Sequence, residues 1–148
     1  MRRSGILPYL ALIRRMQVLT APLVAVNRGC VIKYEADNMF ASFAEPADAV
    51  RAAVAINQII VRGEERFTVA VGIDYGRVLL IDSADCWGDT MNVACKLGED
   101  IAEPGEVLLT EAAARRLRPE FPYPLKSQQV SASGLEFNVF SVDYAPAR

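Results

Sequence analysis

Apolar residues in the first part of the chain recur with a helical period. Leu12, Met16, Leu19 and Leu23 fall at i, i+4, i+7 and i+11, one stripe that predicts a helix over residues 6–26. Arg14 and Arg15 fall off that stripe and belong in solvent. Pro22 lacks an amide hydrogen and should weaken the last turn or end the helix early. Asn27-Arg28-Gly29 is a stop-and-turn signal. The period then changes to that of strands. Residues 30–37 and 39–43 are short β-rich runs with Ala36-Asp37-Asn38 as the tight connection, since Asp and Asn tolerate turn conformations.

A second helix opens at Glu45-Pro46-Ala47-Asp48. Proline suits the first helical position, and an acid suits the positive end of the helix dipole. Its buried stripe is Ala49, Ala53, Ile56 and Ile60, and Gly63 ends it. Residues 67–73 alternate, with Val69, Val71 and Ile73 on one face. Tyr75-Gly76 is a turn, and residues 78–81 are the returning strand. A third helix is expected over 90–101, a turn at Pro104-Gly105, and a strand over 107–110. A short helix over 111–117 is capped by Thr110. Residues 121–124 form an extended connector, and 135–142 are the closing strand. This order is α+β with mostly hairpin connections: a ferredoxin-like, split βαβ sheet with helices on one face and its first strand missing. Nothing divides residues 1–148 into two domains. Neither Gly-x-Gly-x-x-Gly nor Gly-x-x-x-x-Gly-Lys occurs, so a doubly wound nucleotide fold is disfavoured.

Composition removes several function classes. Of 148 residues, 52% are hydrophobic and 23% charged, a globular balance able to bury a core. The net charge of −2 argues against a general nucleic-acid binder. No uninterrupted apolar run approaches the ~18 residues of a membrane span. The basic start, Met1-Arg2-Arg3, leads into an apolar region broken by Pro8 and lacking a small-residue cleavage site, a poor secretory signal. Cys30, Cys86 and Cys95 are odd in number and show no C-x-x-C spacing, which suits reduced thiols in the cytoplasm. The absence of histidine excludes a Ser-His-Asp triad, a Cys-His pair and a His-based zinc site.

Two polar blocks carry the candidate chemistry. Lys33-Tyr34-Glu35-Ala36-Asp37 sets a cation and a carboxylate four residues apart on a hairpin. Asp85-Cys86-Trp87-Gly88-Asp89-Thr90-Met91-Asn92-Val93-Ala94-Cys95-Lys96 places an acid, an amide and a cation around a turn that opens a helix. Singly, each has a plainer reading. Lys33 and Asp37 suit a solvated surface pair, Asn92 suits a helix cap, and Asp85 and Asp89 suit the helix dipole. Trp87 suits packing.

Taken in order with Val71-Gly72-Ile73-Asp74-Tyr75-Gly76 and Glu103-Pro104-Gly105-Glu106-Val107, these blocks resemble the class III nucleotidyl cyclases, the adenylate and guanylate cyclase catalytic domain. The resemblance runs from about Gly5 to Glu111. It implies an adenylate cyclase-like domain that converts ATP to cyclic AMP and pyrophosphate. By that resemblance Asp37 binds a divalent metal, Mg2+ or Mn2+. Lys33 and Asp85 read the base, Asn92 orients the ribose, and Lys96 takes the place of a transition-state arginine. A lysine donor and a carboxylate acceptor suit adenine, which offers a ring nitrogen and an exocyclic amine. The two halves of each site come from different subunits in such enzymes, which implies a homodimer.

Three departures accompany the resemblance. Ala36 stands where the family has glycine, and Lys96 where it has arginine. The strand carrying the family's first metal aspartate has no counterpart, so the domain is expected to be N-terminally incomplete. Glu35 is an extra carboxylate, expected to pair with Lys33 rather than to ligate. The alternative to a slow or inactive enzyme is therefore a degenerate cyclase-homology domain that acts as a nucleotide-binding or regulatory module.

Overall fold

The computed structural model describes residues 5–62, 68–82, 84–132 and 134–144. The elements in chain order are α1 (Ile6–Val26), β1 (Gly29–Glu35), β2 (Asn38–Phe43), α2 (Pro46–Arg62), β3 (Val71–Ile73), β4 (Leu79–Ile81), β5 (Asp85–Trp87) and α3 (Asp89–Lys96). A π-helical turn (Leu97–Ile101) follows, then β6 (Val107–Thr110), α4 (Glu111–Arg116), β7 (Leu125–Ala132) and β8 (Leu135–Val142). Gly63, expected to end α2, and Phe67, expected to begin the next strand, lie outside the described residues, as does the side chain of Ile60.

The helix ends follow local chemistry. Pro22 does not end α1. The helix continues to Val26, and its C-terminus is closed by Asn27, whose Nδ2 donates to the Leu23 carbonyl at 2.8 Å. Arg28 then takes a positive φ of 64°, which turns the chain into β1. The buried face of α1 runs through Thr20 and Val24 rather than through Leu12, which is exposed. The Thr20 hydroxyl is satisfied inside the helix by donating to the Met16 carbonyl at 2.7 Å, so a polar residue can occupy the inner face. Arg14 and Arg15 are exposed, as their place off the stripe implied. By length and composition alone α1 is long and apolar enough to cross a membrane, although Arg14 and Arg15 interrupt its apolar run. Thr110 caps α4 as expected, accepting from the Ala113 amide at 3.2 Å.

The α+β architecture is divided among three sheets: β1-β2, β3-β6-β8-β7 and β4-β5. β3 runs parallel to β6, while β8 is antiparallel to both β6 and β7. Three details differ from expectation. First, β4 returns against β5, not against β3, because Asp85–Trp87 is itself a strand. Second, β7 is a full strand where only a connector over 121–124 was foreseen. Its polar run Lys126-Ser127-Gln128-Gln129 hides a strand that pairs over its whole length with β8. Third, helices cover both faces of the four-stranded sheet. On one face Val50, Ala53 and Val54 of α2 and Ala113 of α4 pack on Ile73, Val107 and Leu109. On the other, Leu97 of the π turn packs with Leu108 and Val139. A separate cluster joins α1 to α2 through Val24 and Ile56.

The third helix also changes character midway. After Lys96 the backbone widens into the π turn, where the Ala102 amide reaches back five residues to the Leu97 carbonyl at 2.7 Å. Within this turn Gly98 lies close against Gly72 of β3, so that a Cβ on either would meet the other's main chain.

The expected gap in the sheet is visible. β2 pairs only with β1, and β3 pairs only with β6, so each leaves one edge without a ladder partner among the described residues. Both edges line one cavity of about 650 Å³, closed on its inner side by Ala53 and Ile56 of α2.

Candidate functional site

Lys33 and Asp85 are 52 residues apart in sequence and meet in space. Lys33 Nζ donates to Asp85 Oδ1 at 2.9 Å, and the same ammonium lies 3.0 Å from Glu35 Oε1. Both partners of the first pair are about one-third exposed. The Asp85 hydrogen bond holds the Lys33 ammonium above its ordinary pKa, with Glu35 adding to it. Conversely, Lys33 holds Asp85 below the usual carboxylate range, helped by the Cys86 amide, which donates to Asp85 Oδ1 at 2.8 Å. The pair therefore presents a charged donor beside a charged acceptor over a wide pH range.

Local structure aims Lys33. Between Val31 and Lys33 the ladder of β1 on β2 slips by one residue, so that Val31 opposes Ala41 but Lys33 opposes Phe40. Such a bulge re-aims the following side chain. It buries Ile32 and sets the Lys33 ammonium 5.3 Å from the centre of the Phe40 ring. The sequence reading missed this bulge. Its only trace is the run Cys30-Val31-Ile32, three apolar residues in succession where strict alternation would place a polar one.

Asp37 sits at the tip of the same hairpin, exposed and lining the cavity. Ala36 before it has φ +52°, and Asp37 does not share the positive sign, the pattern of a type II′ turn. Asn38 ties the hairpin to the π turn by donating to Glu99 Oε1 at 3.2 Å. Asn92 and Lys96 lie four residues apart on α3, on one face and both exposed. Asn92 is not the cap, since Gly88 holds that position with φ +135°. The structure thus brings Lys33 to Asp85. The cavity touches Asp37 but none of Lys33, Asp85, Asn92 or Lys96.

Among the described residues no group of three or more His, Cys, Asp or Glu side chains is arranged to hold a metal ion. Asp37 offers a single carboxylate. That donor set suits a hard cation that arrives with most of its oxygen ligands already supplied by a triphosphate.

Comparison with known proteins shows the family and the fold. The family described as the adenylate and guanylate cyclase catalytic domain matches residues 39–138. An adenylate cyclase of Glutamicibacter nicotianae is 26% identical over 121 residues, which is 82% of this chain and 30% of that protein. The chain thus spans under one third of that curated relative. Among solved structures, an adenylate/guanylate cyclase/hydrolase from Silicibacter pomeroyi superposes with a TM-score of 0.73 at 28% identity. The match covers 93% of this chain and 84% of that one. The catalytic core of a rhodopsin-guanylyl cyclase with converted specificity, in complex with ATPalphaS, superposes with a TM-score of 0.80 at 15% identity, covering 96% and 86%. The fold and the match together define a nucleotide cyclase domain. The chain belongs to the adenylate and guanylate cyclase catalytic domain family, whose members generally use divalent metal ions.

Proposed function

We propose that this chain is an adenine-selective cyclase domain that takes ATP with a divalent metal, Mg2+ or Mn2+, across a homodimer. The observation that carries the reading is the 2.9 Å contact between Lys33 Nζ and Asp85 Oδ1. It sets one N–H donor and one carboxylate acceptor at the spacing of two neighbouring atoms on a purine edge, and adenine offers a ring nitrogen and an amine in that order. Asn92 holds the ribose, and Lys96 faces the phosphates as a point charge without the fork of an arginine. Asp37 would hold the metal, which when bound would supply positive charge against the phosphates. In the reaction the ribose 3′-hydroxyl gives its proton to water, its oxygen bonds to the α-phosphorus, and the bond from that phosphorus to the pyrophosphate oxygen breaks, its electron pair leaving with pyrophosphate.

A homodimer is supported by the exposed apolar hairpin β4–β5, where Leu79 is 62% and Trp87 60% exposed. By the family resemblance, a dimer would also join the two halves of each site. Three free thiols suit a reducing compartment such as the cytoplasm.

A second reading has its own support. Among the described residues no three His, Cys, Asp or Glu side chains gather to hold a metal, and β2 and β3 each leave one edge without a ladder partner. On those grounds this 148-residue chain turns over very slowly or not at all, and acts as a nucleotide-binding or regulatory cyclase-homology domain. Incubating the purified chain with ATP and manganese, and measuring cyclic AMP, separates the two. Formation that is lost in Asp37→Ala supports the enzyme. ATP binding without cyclic AMP supports the regulatory domain. No ATP binding overturns both.

A further inference from the structure

Lys33 is held by more than its base-reading partner. Its ammonium has three N–H bonds to give. One goes to Asp85 Oδ1 at 2.9 Å, and Glu35 Oε1 lies 3.0 Å away to take a second. Phe40, directly across the ladder, presents its ring 5.3 Å from the ammonium. Glu35 lies two residues beyond Lys33 on β1, so both project from the same face of the strand. The bulge after Val31 brings Phe40 opposite Lys33, where an unbroken ladder would have placed Ile32.

We infer that Glu35 and Phe40 are positioning residues for base recognition: they fix the Lys33 ammonium so that its third N–H meets the purine ring nitrogen. The inference rests on the adenine-binding reading above and deepens it. An unanchored lysine has four rotatable bonds and loses their freedom on binding a ligand. Glu35 and Phe40 restrict that freedom before the nucleotide arrives.

Glu35 has a further effect on Asp85. In a simple ion pair, Lys33 and Asp85 satisfy each other, and a purine must separate them. With Glu35 as a second partner, Lys33 stays neutralised while Asp85 turns a carboxylate oxygen to the exocyclic amine. Glu35 side-chain exposure of 60% rules out a packing role and keeps the effect of removing it modest.

The test uses the whole chain and three ligands as their magnesium complexes: ATP, GTP and inorganic tripolyphosphate, with affinities measured by titration calorimetry. Glu35→Gln should weaken ATP about threefold and lower the ATP-to-GTP ratio, with tripolyphosphate unchanged. Glu35→Asp, which keeps the charge, should recover part of the loss, and Phe40→Leu should act in the same direction as Glu35→Gln. Unchanged ATP affinity in Glu35→Gln overturns the inference while leaving the nucleotide reading intact. An equal loss for ATP and tripolyphosphate also overturns it, because the effect would then lie on the phosphates. A wild-type chain that binds tripolyphosphate but does not prefer ATP over GTP overturns the adenine reading itself, and the inference with it.

Discussion

Gly72 of β3 and Gly98 of the π turn are in backbone contact. A Cβ added to Gly72 would lie 2.5 Å from the Gly98 amide nitrogen and 2.3 Å from the Ala94 carbonyl oxygen. The obstructing atoms are main chain and cannot swing away. Gly72→Ala should therefore force β3 and α3 apart and cost about 3 kcal/mol of stability, measured by urea or thermal unfolding. Because α3 carries Asn92 and Lys96, the variant should also weaken binding of ATP and tripolyphosphate together. A neutral result would mean that the close approach is not maintained in solution.

Ala36 holds a φ of +52° at the hairpin tip, a region unfavourable for a residue with a Cβ. Glycine adopts that conformation without the steric cost, so Ala36→Gly should raise stability by about 1 kcal/mol. A rise in melting temperature checks this. A fall would show that the entropy lost by a glycine outweighs the relief of strain.

Asp85 supplies the acceptor for the exocyclic amine in the proposed site. Asp85→Ala should bring an ATP preference of about tenfold down towards parity with GTP, without abolishing binding, because phosphate contacts are untouched. Competition binding with both nucleotides measures the ratio. Retention of the full preference would move base recognition away from this pair.

Glu45, just before α2, accepts two hydrogen bonds from Arg116, at 2.9 and 3.1 Å. Those bonds hold its carboxyl below the ordinary value, with the Arg116 charge adding to the effect. A carboxyl lowered in the folded state stabilises the fold above its unfolded pKa, and that contribution fades as pH falls through the folded value. Melting temperatures from roughly pH 6 to pH 3 should fall more steeply in the wild type than in Glu45→Gln. Parallel curves would show that the exposed pair contributes nothing to the acid side of the stability profile.

Much of the secondary structure was legible because it depends on neighbours in sequence. The bounds of α1, the turn at Ala36-Asp37, the opening of α2 at Pro46 and the Thr110 cap all follow from residues within one or two turns of each other. The candidate residues were named for another reason, the order of blocks along the chain; the family match over 39–138 spans Asp85, Asn92 and Lys96 and begins after Lys33 and Asp37. The buried face of α1 was not legible, since Thr20 passes for a polar surface residue until its hydroxyl is seen bonded to Met16. Strand β7 was hidden likewise, because its polar sequence suits an edge strand whose partner, β8, supplies the regular hydrogen bonds.

The sequence by itself determined the helix starts, the tight turns and the kinds of side chain available, because helix periodicity, turn chemistry and charge are properties of short segments. Only the tertiary structure decided which segments pair and where Lys33 points. The partner of β4, the helices on both faces of the sheet and the open edges of β2 and β3 are contacts between distant segments, and no local pattern encodes them. The meeting of Lys33 with Asp85 is of the same kind. It depends on a one-residue slip in the β1–β2 ladder and on a hairpin formed by β4 and β5, two events whose free energies are set by packing across the fold.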